Sequence, residues 1–119
     1  PSDSEFFSLA GIYNIWHNSQ TNQKIKTFSI LTTPANALMA EIHNTKKRMP
    51  IIIPHGEETR WMDVNASINS IINLMKPFDE KLMDAYTISK MANNVRNNRN
   101  VPEILEPVSF QSENQLSLF

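Results

Sequence analysis

A chain of 119 residues supplies one domain or part of one, and its 40% hydrophobic content suffices for a single modest core. The net charge of −1 gives no global attraction to nucleic acid, so any anion site has to be a local patch. The absence of cysteine excludes disulfides, thiolate chemistry and cysteine-type zinc sites within these residues. No window reaches the length of a membrane span, and no charged-then-apolar leader points to export. His17, His43 and His55 lack ligand spacing, so neither a metal nor a cofactor is expected.

Residues 1–5 read as a polar lead-in. Residues 6–16 (FFSLAGIYNIW) are aromatic and β-branched and predict a strand, with Gly11 inside it as a bulge or a close backbone approach. Residues 17–24 (HNSQTNQK) are rich in turn formers, so 6–16 and 25–32 should pair as an antiparallel hairpin, with His17 in a loop role. Thr33-Pro34 carries two helix-start signals, a hydroxyl at the N-cap and a proline at the first helical position. The helix that follows would turn Leu38 and Ile42, with the neighbouring row of Ala35 and Met39, inward. His43 falls at its end, where the negative pole of the helix dipole favours an imidazolium. Lys46, Lys47 and Arg48 come next and lead into the apolar run 49–54. By pattern alone, a histidine ending an amphipathic helix is more often a cap than a catalyst, and three loop cations are more often a solvated edge.

Gly56-Glu57-Glu58 opens a short helix ending near Met62, with acidic residues at the positive dipole end and Trp61 on the core. Asn65 is placed to cap a second helix over 66–75, whose Ile68, Ile71, Ile72 and Met75 form a core face; Pro77 ends it. The sequon Asn65-Ala66-Ser67 is read as chance. Residues 82–88 alternate as a short strand. Residues 89–100 (SKMANNVRNNRN) cannot form a core, but offer amides and fixed positive charge; arginine forks fit phosphate oxygens, and asparagine tolerates left-handed turns. Their bland reading is a solvated loop. Residues 102–108 resume order, 109–114 are polar, and QLSLF closes the chain.

Four stretches taken together resemble the SOS response-associated peptidase family, whose members covalently shield abasic sites in single-stranded DNA. They are 7–16 (FSLAGIYNIW), 27–36 (TFSILTTPAN), Ile42-His43 through Arg48-Met49-Pro50, and Ile88-Ser89 through Asn93-Asn94-Val95-Arg96-Asn97 to Glu106-Pro107-Val108. The resemblance implies an α+β fold built on a curved, mostly antiparallel, barrel-like sheet with flanking helices. Residues 1–108 would be the C-terminal part of one such domain, and 109–119 a polar tether with a terminal apolar motif. It also implies a mechanism. A cysteine at the mature N-terminus attacks the aldehyde of the abasic sugar and closes a thiazolidine crosslink, while a glutamate and a histidine manage protons. His43 matches that histidine, Thr32 a backbone-contacting position and Arg48 a phosphate-binding arginine. Lys46 and Lys47, in a loop longer than the family's common form, and Asn93 and Arg96 are placed near the DNA backbone.

The family's cysteine, its DNA-wedging Asn-Ala-Arg segment and its glutamate motif are not in these residues. The N-terminal half of the same protein is therefore an expected partner, together with single-stranded DNA bearing abasic sites. The complete protein would have linked autopeptidase and lyase-type activity; the alternative is a non-catalytic single-strand-binding module on the same scaffold. The tail Gln115, Leu116, Leu118 and Phe119 resembles the bacterial sliding-clamp binding motif, in which a glutamine leads and a Leu-Phe pair anchors; self-docking of the tail is the competing reading. The implied location is the bacterial cytoplasm, at the nucleoid.

Overall fold

The computed structural model describes residues 6–42 and 45–109. The protein forms two compact units, Pro1–Met83 and Asp84–Phe119. Among the described residues of the first, six strands pair antiparallel as three two-stranded sheets: β1 (Ser8–Leu9) with β6 (Ile52–Ile53), β2 (Gly11–His17) with β3 (Lys24–Ile30), and β4 (Thr32–Pro34) with β5 (Arg48–Pro50). Three short helices accompany them: α1 (Ala37–Ile42), α2 (Glu58–Met62) and α3 (Ile68–Ile72). This is the expected α+β, antiparallel architecture, without closure of the sheet into a barrel among the described residues.

The three sheets share one junction. Each extended segment is interrupted at a single residue (Ala10, Leu31 or Ile51), where it leaves one partner and joins another. At that point the Ala10 N–H donates to the Ile51 carbonyl (2.8 Å), the Ile51 N–H to the Leu31 carbonyl (3.0 Å), and the Leu31 N–H to the Ala10 carbonyl (2.9 Å). This closed ring of three bonds satisfies backbone groups that the change of partner would otherwise strand in the interior. The expected strand over 6–16 is therefore divided at Ala10. Gly11 holds regular register opposite Ile30, and an added Cβ there would make only an ordinary 3.4 Å contact with the Ser29 carbonyl, so no bulge forms. The hairpin forms as expected, but His17, expected in a loop role, is the last residue of β2, opposite Lys24, with its Nε2 2.9 Å from the Asn22 amide oxygen. Asn22 takes the left-handed conformation (φ 56°) that asparagine tolerates in turns.

The core has two parts, one on each side of the apolar run 49–53. Ile51 and Ile53 pack with Ala10 and Leu74, joined by Leu31 and Trp61; Met49 and Ile52 pack with Phe78, joined by Ala35, Met39 and Met83. A run buried on both faces has no polar alternation, which is why it reads as continuous apolar sequence. Full burial of one such side chain contributes about 1.5–3 kcal/mol. Trp61 packs as expected, and its indole N–H donates to the Gly11 carbonyl (3.2 Å).

Several local expectations give way. Thr33-Pro34 does not start a helix but belongs to β4, and Asn36 is the cap: its Oδ1 accepts the Met39 N–H (2.9 Å), while its Nδ2 donates to the Phe78 carbonyl (2.7 Å). Ala35, just before α1, and Met39 on it pack inward as expected, whereas Ile42 is exposed. The helix expected over 66–75 shortens to α3, capped by Ser67 rather than Asn65, and Ile68, Ile72 and Met75 are exposed; Leu74 takes the core position. No strand forms over 82–88. Asp79 caps a 3-10 turn at Glu80–Leu82 instead, and only Ile88 bridges, to Pro107.

The second unit, as far as residue 109, holds two 3-10 turns, Lys90–Asn93 and Pro102–Leu105, with Ile104 buried. Beside the Ile88–Pro107 bridge, the Val108 N–H donates to the Thr87 carbonyl (2.8 Å) and the Thr87 hydroxyl to the Val108 carbonyl.

Candidate nucleic-acid interface

The β4–β5 ladder sorts its residues by the two-residue period of a strand. Thr33 and Met49 sit opposite each other and are buried, so Thr32, Pro34, Arg48 and Pro50 share the other face. Thr32 pairs with Pro50 and Pro34 with Arg48, which makes Thr32 and Arg48 diagonal neighbours within reach of a long side chain. Arg48 uses that reach: its Nε donates to the Thr32 hydroxyl at 3.0 Å, and one terminal nitrogen donates to the same oxygen. The guanidinium is thereby aimed, and its other terminal nitrogen has no partner among the described residues. An exposed, oriented guanidinium with free donors matches the fork geometry of a phosphate group.

Lys46 and Lys47 lie in the turn immediately before β5, both exposed and without an ion pair among the described residues. Lys47 is left-handed (φ 46°), and its carbonyl accepts the Ala35 N–H (2.8 Å), fixing the turn to the residues that precede α1. Three adjacent cations thus occupy one end of the β4–β5 ladder. His43 lies outside the described residues, as do Gln115, Leu116, Leu118 and Phe119. An open groove of about 430 Å³ beside α1 is lined by Ala37, Leu38, Glu41, Glu80, Lys81 and Met83. With two carboxylates in that lining, it is unsuited to a polyanion.

Asn93 and Arg96 belong to the second unit. The Ser89 hydroxyl caps the turn there, accepting the Met91 N–H (3.2 Å). Asn94 and Asn98 spend their side-chain oxygens on the Arg96 and Asn100 N–H groups (3.1 and 3.0 Å). These asparagines hold their own backbone without entering the left-handed region. The side chains of Asn93 and Arg96 are exposed and unpaired among the described residues.

Sequence reasoning missed Asn36, which ties the start of α1 to Phe78 and so positions the chain leading towards His43. The signal was present, since asparagine is among the strongest N-caps, but Thr33-Pro34 outweighed it. Among the described residues, no helix is long and apolar enough to cross a membrane.

Residues 1–95 match the family model for SOS response associated peptidase (SRAP). The abasic site processing protein YoqW of Bacillus subtilis is 35% identical over 104 residues, 87% of this chain and 44% of its own length. YoaM of the same organism, also named an abasic site processing protein, is 35% identical over 80% of this chain and 40% of its own length. The chicken abasic site processing protein HMCES is 27% identical over 87% of this chain and 29% of its own length. A crystal structure of a protein from Bacteroides thetaiotaomicron superposes with a TM-score of 0.77 at 40% identity, covering 90% of this chain and 45% of that one. The chain thus spans less than half the length of the relatives it matches, and it belongs to the SOS response associated peptidase family.

Proposed function

We propose that this chain is the histidine- and cation-bearing part of an abasic-site processing protein that acts on single-stranded DNA. The observation that carries the reading is the Arg48–Thr32 pair, an oriented guanidinium on an exposed ladder face, preceded in sequence by Lys46, Lys47 and His43. The names of the relatives support the substrate.

In the complete protein, a cysteine at the mature N-terminus, beyond these residues, attacks the aldehyde of the opened sugar. Its amine condenses with the aldehyde carbon and water leaves; the thiol sulfur then adds to that carbon, its proton passing to nitrogen. A thiazolidine results. His43 protonates the sugar oxygen as the ring opens and takes the proton back on reversal. Thr32, Lys46, Lys47, Arg48, Asn93 and Arg96 hold the DNA backbone. Removal of its own leader exposes the cysteine, so autopeptidase and lyase-type activity share this centre. Residues 109–119 act as a tether whose Gln115, Leu116, Leu118 and Phe119 engage a bacterial sliding clamp, which would raise the protein's effective concentration on stalled template at the nucleoid.

The test is incubation of the complete gene product with a single-stranded oligonucleotide carrying one abasic site, followed by denaturing electrophoresis. An adduct is expected, with His43→Ala folding normally but slowing reversal and altering its dependence on pH between about 5 and 8. Unchanged rates for that variant across the range contradict the assignment of His43. Binding without an adduct identifies a non-catalytic single-strand-binding module. For the tail, deletion of Leu118 and Phe119 should abolish micromolar-range affinity for purified clamp and leave crosslinking intact; no clamp binding by the intact tail ends that part of the proposal.

A further inference from the structure

Among the described residues, β2 and β3 are exposed along their whole length. On one face Tyr13 and Phe28 stand directly opposite each other at 79% and 80% exposure; on the other, Ile12, Trp16 and Ile25 are 54%, 51% and 42% exposed. Large apolar side chains on both faces are the pattern of an inner strand pair, covered above and below and continued sideways.

The hydrogen-bond phase shows which side continues. Just outside the hairpin, the Asn18 N–H donates to the Gln23 carbonyl (2.8 Å) and the Leu31 N–H to the Ala10 carbonyl (2.9 Å). The register between them is unbroken, from Gly11 opposite Ile30 to His17 opposite Lys24. Bonded pairs alternate along such a ladder, so Ile12, Asn14 and Trp16 bond their partners, and the residues between them turn their backbone groups outward. On β2 that outer edge is already engaged twice: the Gly11 carbonyl accepts the Trp61 indole N–H (3.2 Å), and the Ile15 N–H donates to the Asn14 side chain (2.8 Å). On β3 the outward groups belong to Lys24, Lys26, Phe28 and Ile30, and no backbone or side-chain bond meets them among the described residues.

We propose that the outer edge of β3 accepts a further strand, and that this strand comes from the part of the complete protein outside these 119 residues. The matched relatives are more than twice as long as their matching portions, so most of the family's chain lies elsewhere. The incoming segment is extended, with apolar residues opposite Phe28 and Ile30 and carboxylate or amide side chains opposite Lys24 and Lys26. The proposal rests on the reading above that the complete protein extends beyond this chain.

Residue-resolved amide hydrogen exchange on the complete gene product tests it without a substitution. The Lys26, Phe28 and Ile30 amides should exchange at least about 100-fold more slowly than unstructured peptide, matching the inward-facing Thr27 and Ser29 amides. Fast exchange at 26, 28 and 30 in the complete product overturns the proposal. Slow exchange already present in the 119-residue chain assigns the edge to a segment of this chain, and protection that tracks a concentration-dependent dimer in light scattering assigns it to a second copy; either outcome overturns the proposal as well. Crosslinking to abasic DNA, measured on the same preparation, separates the two readings. An adduct with an unprotected edge leaves the function standing while the strand proposal falls, and a protected edge without an adduct does the reverse.

Discussion

Arg48 and Thr32 form an exposed hydrogen-bonded pair, and the DNA-binding role proposed for it carries a low structural cost. Both are exposed, so Arg48→Ala should change stability by no more than about 0.5 kcal/mol. It should also lower the salt slope of single-stranded DNA binding by about 0.7, one phosphate contact. Thr32→Val keeps the strand and removes only the acceptor that aims the guanidinium, so it should weaken binding by a smaller factor with the slope retained. Titrations across a range of salt concentrations check both, and an unchanged slope in Arg48→Ala would show that this face does not meet DNA. Asn36 is the opposite case, structural and half-buried. Asn36→Ala removes a helix cap, about 1 kcal/mol, and leaves the Phe78 carbonyl without its donor, a further 1–2 kcal/mol or so. Asn36→Ser keeps a capping oxygen and loses the donor to Phe78, so denaturant midpoints should rank native, Ser, then Ala. The sequence made Thr33-Pro34 the more legible helix start because both of its signals are local. Pairing of Thr33 with Met49, which buries both, is a long-range effect that local signals do not carry, and it moved the cap to Asn36.

Among elements, the hairpin was legible and the junction was not. The turn-forming stretch 17–24 between two β-branched runs predicts β2 and β3, and the structure keeps them in register from end to end. The same alternation continues through Ala10 and Leu31, however, and nothing in a period of two records that an extended chain exchanges one partner for another. Helix α3 failed differently. Its periodic isoleucines are a real apolar stripe, but most of it faces outward among the described residues, and Leu74 fills the core instead. The junction makes a sharp stability prediction. Ile51 is 2% exposed and Ala10 0%. Ile51→Ala should cost about 2–5 kcal/mol through lost burial and a residual cavity. Ala10→Val should cost about 1–3 kcal/mol by overpacking the point where the three segments meet. Equilibrium denaturation measures both. A loss below 1 kcal/mol in each would mean that the three sheets do not depend on this crossing.

For the whole molecule, family and architecture follow from this chain, while the chemistry proposed for it calls on residues outside it. The cations of the β4–β5 end are in place, but none of the 119 residues is a cysteine, so the proposed nucleophile has to be supplied by the rest of the protein. Among the described residues, both faces of the hairpin and one of its edges are open, in a chain that spans 44% of YoqW. The most direct measurement is the intact mass of the complete gene product after incubation with a single-stranded oligonucleotide bearing one abasic site, taken under denaturing conditions. A thiazolidine predicts a species at the mass of protein plus oligonucleotide less one water. Unmodified protein and intact oligonucleotide alone, under conditions where the two demonstrably bind, would contradict it.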